Sequence, residues 1–275
     1  MALSARTALR AAILLCFFLW AGRTAIALAQ SPMHKPQIEE IASGKTRVID
    51  LSYALSDKLV AWPGDAKAFE AKVNATVEKN GYFTRSFWML EHYGTHMDAP
   101  AHFPPGKTTL DKIAVEKFFA AAVIVDVRSE AERNPDYQLT VKRIEAWEDK
   151  HGKIPAGAIV VLRTGWASRW PDVARYRNQD ANGTMHFPGF SVEAAKFLLQ
   201  RKISGLGCDT LSIDPGNSPD FPVHHTVLGA EVFQVENLAD LKDLPEAGAF
   251  IIAAPIKLEG GSGGPCRVFA VLPPK

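Results

Sequence analysis

Cysteine is scarce in this sequence of 275 residues, which contains only three. Cys16 lies in an apolar N-terminal segment, and the other two, Cys208 and Cys266, are too few for a disulfide framework. A single bridge between them is compatible with an oxidising compartment, but each lies beside an apolar run, which equally predicts two buried thiols. Neither residue belongs to a Cys-x-x-Cys or Cys/His pattern, so the sequence argues against a thiol nucleophile.

A strong charge of either sign is also missing, since 31 Lys and Arg face 30 Asp and Glu and give a formal net charge of +1. This balance gives no electrostatic reason to expect a nucleic-acid partner. No Gly-x-Gly-x-x-Gly follows a predicted strand, which argues against a Rossmann fold. The glycine-rich run Gly260–Gly264 lacks the basic context of a phosphate-binding loop. With 47% hydrophobic and 22% charged residues, the composition is that of an ordinary globular protein.

The first 29 residues have the features of a secretory signal. Arg6 and Arg10 form a basic start, residues 11–21 an apolar core, and Ala27–Ala29 a small-x-small cleavage site. The apolar core is too short to span a membrane comfortably, so we expect cleavage rather than anchoring. The sequence therefore predicts an exported protein, secreted or periplasmic, that has no membrane partner once residues 1–29 are removed.

Beyond this segment, the sequence predicts a flexible leader and a single domain. Arg23, close to the cleavage site, is atypical of a secretory signal and leaves an Arg-rich organellar transit peptide as the alternative. Residues 30–46 are polar, contain two prolines and predict the leader. No Gly/Ser-rich or charged linker interrupts the chain after it, so residues 47–275 are expected to form one domain.

Hydrophobic patterning predicts alternating strands and helices in the middle of the chain and mostly strands towards its ends. A continuous apolar run, such as residues 121–127, is typical of a strand buried on both faces. Thr140 and Ser191 are expected to cap two amphipathic helices that extend to Lys150 and Gln200. The fold class that follows is α/β, with a mixed sheet. Further strands are predicted at residues 47–51, 83–91, 158–163, 203–208, 231–235, 249–253 and 268–272.

The most informative segment is His92–His102, which reads His-Tyr-Gly-Thr-His-Met-Asp-Ala-Pro-Ala-His. Three of the eight histidines of the chain fall in it, together with Asp98. Imidazole and carboxylate are the usual ligands of zinc, manganese or iron(II) in catalytic sites. His92, His96, Asp98 and His102 all have even numbers. Because side chains alternate along an extended chain, such a segment directs all four to the same side. The prolines that follow argue against a helical pair of His92 and His96.

His92, His96 and Asp98 are predicted to bind a first metal ion. Three protein ligands leave an open coordination position for water or substrate, as a catalytic zinc requires. A divalent ion bound there lowers the pKa of a water molecule to about 7, which provides hydroxide at neutral pH.

The pattern His92-x-Gly-Thr-His-x-Asp-Ala-Pro-x-His102 resembles the signature of the cyclase superfamily, which includes bacterial kynurenine formamidases and isatin hydrolases. Segments like those of the family also occur at Trp62–Asp65, His224–His225 and Glu236–Leu238, and the similarity extends over nearly all of the predicted domain. The resemblance implies a swivelling β/β/α type of fold, a homo-oligomer such as a homodimer, and one or two divalent ions, zinc or manganese, per chain.

Within this resemblance, His224 and Glu236 match a second set of metal ligands, and Asp98 is implied to bridge two ions. His225 is the rival of His224, because adjacent side chains in a strand point to opposite faces and only one can face the metals. Glu231 is the rival carboxylate. A buried Glu236 without a metal or another partner is costly, which favours its role as a ligand.

His102 matches a histidine that the family uses to donate and accept a proton. An ordinary His pKa near 6.5 suits both steps of amide hydrolysis, and a fourth metal ligand is the competing role. Trp62 matches an aromatic wall of the substrate pocket, where it would stack on a planar substrate, although ordinary core packing is the competing interpretation. The loop that contains Asp209 and Asp214, before His224, is a further candidate to line the pocket, and its Asp-Pro-Gly sequence is equally typical of an ordinary turn.

Together these features predict a metal-dependent hydrolase that cleaves the amide C–N bond of a small aromatic substrate. A kynurenine formamidase-like reaction, from an aryl formamide to formate and an arylamine, is the leading hypothesis. Hydrolysis of a cyclic amide of the isatin type is the alternative, because residues 146–166 and 244–257 are more similar to isatin hydrolases. A non-catalytic periplasmic metal-binding protein is the alternative of another class, and a cyclase or dehydratase with the same Lewis acid is the third.

Overall fold

A computed structural model of the chain describes residues 38–65, 67–239 and 241–273. The predicted signal, residues 1–29, and the first part of the predicted leader lie outside the described residues. The remainder of the leader contains a short helix, α1 (Ile38–Ala42), directly before the first strand. Within the part of the chain that is described, no helix combines the length and the apolar character needed to cross a membrane.

The described strands include the eight predicted ones in the same order, together with four additional strands and several short helices. The strands are β1 (Val48–Asp50), β2 (Phe69–Ala75), β3 (Thr84–Met89), β4 (His96–Asp98), β5 (Phe119–Asp126), β6 (Gln138–Leu139), β7 (Ile159–Arg163), β8 (Gly189–Phe190), β9 (Gly205–Cys208), β10 (Phe233–Glu236), β11 (Phe250–Pro255) and β12 (Gly263–Val271). The helices after α1 are α2 (Val77–Asn80), α3 (Arg128–Arg133), α4 (Val141–His151), α5 (Val173–Arg177), α6 (Val192–Gln200) and α7 (Pro222–Gly229).

One mixed eight-stranded sheet organises the domain, in the order β1-β12-β11-β5-β7-β9-β10-β4. Strands β5, β7, β9 and β10 are parallel to one another, whereas β11, β12 and β4 are antiparallel to their neighbours. The long strand β12 pairs with β11 and also with β4, so the sheet closes on itself. The α/β class with a mixed sheet is therefore confirmed.

The two main helices begin at the residues that the sequence predicts. The Thr140 hydroxyl accepts a hydrogen bond from Arg143 N at 3.3 Å, and the Ser191 hydroxyl accepts one from Ala194 N at 3.1 Å. Each bond satisfies a backbone donor that the first helical turn leaves unpaired. Helices α4 and α6 then bury their apolar sides, including Trp147, in one core layer with strands β7 and β9.

The hydrophobic core has two layers, and they separate the two cysteines. Cys266 lies with residues of β4, β10 and β12 inside the closed sheet, whereas Cys208 lies in the layer between sheet and helices. Both are buried free thiols, which confirms the prediction of two buried thiols rather than a disulfide between them. Burial raises the pKa of both thiols, which is unfavourable for a nucleophile.

Candidate metal centre

Strands β4 and β10 place the first candidate ligands on one face of the sheet. Side chains alternate along a strand, so His96 and Asp98 of β4 share a face. On β10, Glu236 is the direct partner of His96, and cross-strand partners lie on the same face. The chain before β4 turns at Gly94, whose φ of 67° lies in the left-handed region that favours glycine, and this turn brings His92 to the same place. The predicted extended segment is therefore limited to β4.

Helix α7 supplies His224. The Asp214 carboxylate accepts hydrogen bonds from Val223 N at 2.8 Å and from His224 N at 3.0 Å at the start of this helix. The interpretation of His224 and His225 as strand neighbours was wrong, because both are helical and their side chains diverge by about 100°. His224 is buried and faces the other candidate ligands, whereas His225 is exposed. The structure thus selects His224.

Two groups of potential ligands result, and they share Asp98. One comprises His92, His96 and Asp98, the other Asp98, His224 and Glu236, and the ligand atoms within each group lie within 4.8 Å of one another. Asp98 Oδ1 is 2.7 Å from His92 Nδ1 and 3.2 Å from His96 Nε2. Asp98 Oδ2 is 3.5 Å from His224 Nε2, which is 3.2 Å from Glu236 Oε1. All five predicted ligands therefore converge.

Hydrogen bonds on the far side of two histidine rings indicate a site built for cations. His96 Nδ1 donates to the Gly94 carbonyl at 2.9 Å, and His224 Nδ1 donates to the Asp214 carboxylate at 2.6 Å. With Nδ1 committed to that hydrogen bond, Nε2 of each ring faces carboxylate oxygens, so a neutral ring directs its lone pair at them. A nitrogen lone pair and a carboxylate that face each other repel unless a positive charge lies between them.

The pKa of His96 and the burial of Asp98 also indicate that the site stabilises positive charge. Burial alone lowers the pKa of His96, but the adjacent Asp98 and Glu236 carboxylates overcome it and raise this pKa to about 9. Asp98 Oδ2 is buried and has no hydrogen-bond partner among the described residues, which is costly for a carboxylate without a cation. Imidazole and carboxylate groups in this arrangement are suitable ligands for divalent ions. The residues present therefore fit one or two divalent metal ions.

His102 lies beside the ligands but in neither ligand group, in a 3-10 turn (Pro100–His102) after β4. Its ring contacts those of His92 and Phe103, with centroids 3.7 and 4.8 Å away. Burial, reinforced by the surrounding histidines, lowers the pKa of His102 to about 4. The ordinary pKa near 6.5 expected from the sequence therefore does not apply, and His102 is neutral at pH 7.

A cavity of about 500 Å³ opens above the ligands. The Trp62–Asp65 turn, closed by a hydrogen bond from Asp65 N to Trp62 O at 3.1 Å, places Trp62 in its wall. Trp62 also contacts Phe221, with ring centroids 5.7 Å apart, and packs on a satellite hydrophobic cluster. Trp62 thus combines the predicted pocket position with core packing. The apolar lining consists of Val60, Trp62, Leu90, Phe103, Leu211 and Phe221.

Three acidic residues considered from the sequence have other positions. The Glu231 carboxylate accepts a hydrogen bond from Thr108 N at 3.4 Å and lies 3.4 Å from Lys107 Nζ, outside the ligand groups. The loop of Asp209 and Asp214 lines the cavity as expected, but through Leu211 and Ser212 rather than through the two carboxylates. Asp209 accepts hydrogen bonds from Thr164 and Gly165, and Asp214 holds His224.

Sequence reasoning missed several residues of the site. Phe103 and Phe221 form part of the cavity wall, and Glu91 and Ser262 form a hydrogen-bonded pair next to His92. The position of Glu91 directly before His92 was a usable signal. For Ser262, which lies 170 residues from His92, the signal was the resemblance of the run Gly260–Gly264 to a family segment near the active site.

Comparisons with known proteins agree with this geometry. A model of the Cyclase family matches residues 49–215. The isatin hydrolase of Roseibium aggregatum is 36% identical over 250 residues, which cover 85% of this chain and 95% of that protein. The kynurenine formamidase of Bacillus cytotoxicus is 28% identical over 224 residues, which cover 80% and 94%. Among solved structures, isatin hydrolase A from Ralstonia solanacearum matches with a TM-score of 0.78 and 37% identity, over 86% of this chain and 98% of that one.

The match in structure confirms the swivelling β/β/α type of fold that the sequence resemblance implies. The relatives are hydrolases, and the converging ligands provide the metal site that such a hydrolase requires. The chain therefore belongs to the cyclase family of metal-dependent hydrolases and acts on amide C–N bonds.

Proposed function

We propose that the protein hydrolyses a small, neutral aromatic amide, and that a cyclic amide of the isatin type is its preferred substrate class. The observation that carries this proposal is the position of two ligand groups and His102 at an apolar, aromatic cavity. Such a cavity favours a flat ring system that presents its carbonyl to the ligand groups. One or two zinc or manganese ions per chain are part of the proposal.

The residues of the chain divide the chemistry between them. A divalent ion, when bound, supplies positive charge that polarises the amide carbonyl and makes a water molecule more acidic. His102 is neutral at pH 7 and lines the cavity, so it can accept a proton from water and transfer it to the leaving nitrogen. As the C–N bond breaks, the carbonyl carbon gains the hydroxyl of water and the nitrogen gains the proton.

The charge of the cavity favours a neutral substrate. Among the described residues that line it, Asp65 and Glu91 bring carboxylates in addition to the candidate ligand Glu236, and neither lysine nor arginine is present. N-formylkynurenine is a zwitterion, and its carboxylate finds neither lysine nor arginine in this lining, whereas isatin carries no charged group. The higher identity to isatin hydrolase, 36% against 28% for a kynurenine formamidase, points the same way.

A simple aryl formamide is the second candidate, because kynurenine formamidases align over 94% of their length with this chain. Formanilide lacks the charged amino-acid group, and it differs from isatin mainly because its amide is not part of a ring. It therefore separates the requirement for a ring from the requirement for neutrality.

The experiment compares kcat/KM for isatin, formanilide and N-formylkynurenine on the purified protein, before and after chelation and with zinc or manganese restored. We expect isatin to be preferred, formanilide to be slower and N-formylkynurenine to be slowest. His224→Ala should abolish turnover. His225→Phe keeps a ring against Phe103 but removes the imidazole nitrogens of the exposed neighbour, and it should leave turnover unchanged. A preference for N-formylkynurenine would overturn the proposed substrate class, and metal binding without turnover of any amide would favour a non-catalytic metal-binding protein.

Export and self-association belong to the same proposal. A secreted or periplasmic location is supported by residues 1–29, and a homo-oligomer by the resemblance to the family. N-terminal sequencing of protein recovered from the periplasm should give Gln30 first, and light scattering should give a mass above that of one chain. A cytoplasmic protein that retains Met1, or a monomer, would contradict these two points.

A further inference from the structure

His92 is oriented differently from the other two histidine ligands. His96 and His224 direct Nε2 at the carboxylates, whereas His92 places Nδ1 2.7 Å from Asp98 Oδ1. Its Nε2 lies 3.0 Å from the Ser262 hydroxyl. The partner of that hydroxyl therefore decides which nitrogen of His92 carries the proton.

Glu91 fixes the direction of this hydrogen bond. Its Oε2 accepts hydrogen bonds from Ser262 Oγ at 2.6 Å, from Ser262 N at 2.9 Å and from Gly263 N at 3.2 Å. A carboxylate can only accept, so the hydroxyl proton of Ser262 points to Glu91. The oxygen of Ser262 then presents a lone pair to His92 Nε2, which must donate. Nδ1 is left with its lone pair on the side of Asp98.

We propose that Glu91 and Ser262 are positioning residues that hold His92 in the Nε2-protonated form, so that Nδ1 is its metal-binding atom. A hydrogen-bonded carboxylate behind a ligating imidazole fixes its tautomer and raises its basicity, and here the effect passes through a serine hydroxyl. The inference rests on the proposed function only in that the site binds an ion.

The glycine-rich segment makes this arrangement sterically feasible. Gly263 is the cross-strand partner of Asp98, and a Cβ atom at Gly263 would collide with Cε1 of the His92 ring. The absence of a side chain therefore lets the ring lie between Asp98 and Ser262. Within the run Gly260–Gly264, Gly263 therefore provides the surface on which the His92 ring lies.

The first test reads the protonated ring nitrogen directly, by nitrogen-15 NMR of histidine-labelled protein, with the His92 signals assigned by their loss in His92→Asn. In wild type, Nε2 should carry a proton with and without zinc. In metal-free Ser262→Ala, the proton should move to Nδ1, where Asp98 is the remaining acceptor. Ser262→Thr keeps the hydroxyl and should restore the wild-type pattern. A proton on Nδ1 of the wild-type zinc protein, or an unchanged pattern in Ser262→Ala, would overturn the inference.

The second test measures zinc affinity by competition with a chelating dye. Ser262→Ala should lose roughly 10–100-fold at one ion, the usual effect of removing such an outer partner. Because Glu91 acts through Ser262, the double variant Glu91→Ala/Ser262→Ala should lose no more than Ser262→Ala alone. Asp111→Ala is the matched control, since Asp111 accepts a hydrogen bond from Gly260 N at 3.1 Å and holds the same segment without contacting His92.

These outcomes separate the inference from the proposed function. Additive losses in the double variant, or equal losses in Asp111→Ala, would reduce Glu91 and Ser262 to general supports of the segment. The predicted proton position in a protein that hydrolyses no amide would refute the function and leave the positioning role intact.

Discussion

The ring of His102 stacks on the ring of His92, with 3.7 Å between the centroids and 22° between the planes. One histidine of the pair belongs to a ligand group and the other does not. This stacking excludes water from one side of His102 and contributes to the burial that lowers its pKa to about 4. At pH 7 this neutral imidazole beside the candidate ligands can accept a proton, and its low pKa makes it a ready proton donor once it is protonated.

His102→Asn should therefore keep its bound metal and lose roughly 10²–10⁴-fold in rate on amides, the usual contribution of general acid–base catalysis. The loss should be smaller for an ester analogue, because a phenoxide leaves without needing a proton. Rates on matched amide and ester substrates, with metal content measured in both proteins, provide the test. An equal loss on both substrates would restrict His102 to the role of a base.

Asp98→Asn should remove more metal than any other single change of a ligand, because Asp98 belongs to both groups. The amide keeps the shape of the carboxylate but removes the negative charge that two ions would share. Elemental analysis after dialysis should show both ions reduced in Asp98→Asn and neither reduced in His102→Asn. Equal metal loss in the two variants would make His102 a ligand instead.

Glu236→Gln should weaken one ion selectively, since Glu236 belongs to one of the two groups. Glu231→Gln is the matched control, because it changes a carboxylate in the loop just before the same strand that lies outside the groups. Zinc titration should show one weakened site in the first variant and none in the second. Full metal content and full rate in Glu236→Gln would remove Glu236 from the site.

Glu148 should make the stability of the fold sensitive to acid. Hydrogen bonds from Arg201, assisted by Lys153, lower the pKa of the buried Glu148 carboxyl to about 2 although burial opposes this. A folded-state pKa below the unfolded value stabilises the protein above the unfolded pKa, and this stabilisation is lost as the pH falls towards the folded value.

Urea unfolding of wild type and Glu148→Gln measures this contribution as a difference in the free energy of unfolding. We expect a difference of up to about 3 kcal/mol at pH 7, which shrinks as the pH falls from about 4.5 towards 2. Asp149→Asn, an exposed change on the same helix, should show no such difference. A constant difference across this pH range would mean that lost packing, not charge, destabilises Glu148→Gln.

Local patterns were sufficient to predict most of the fold. The caps at Thr140 and Ser191 and the apolar runs of β5 and β7 depend on neighbours within a few residues, so they are visible in the sequence. Strand β12 was different, because it begins at Gly263 rather than at the predicted residue 268. Its first part is glycine-rich and becomes a strand only by pairing with β4, which no local propensity indicates.

The sequence by itself indicated the chemistry of this protein, because the candidate ligands His92, His96 and Asp98 are close neighbours in one short segment. Only the tertiary structure decided which distant residues complete the site. It selected His224 by helical geometry and Glu236 by its register opposite His96. It also placed Ser262, 170 residues away, behind His92. Burial, strand register and hydrogen-bond direction arise from contacts between distant parts of the chain, and they set the protonation and orientation of side chains that the sequence can only name.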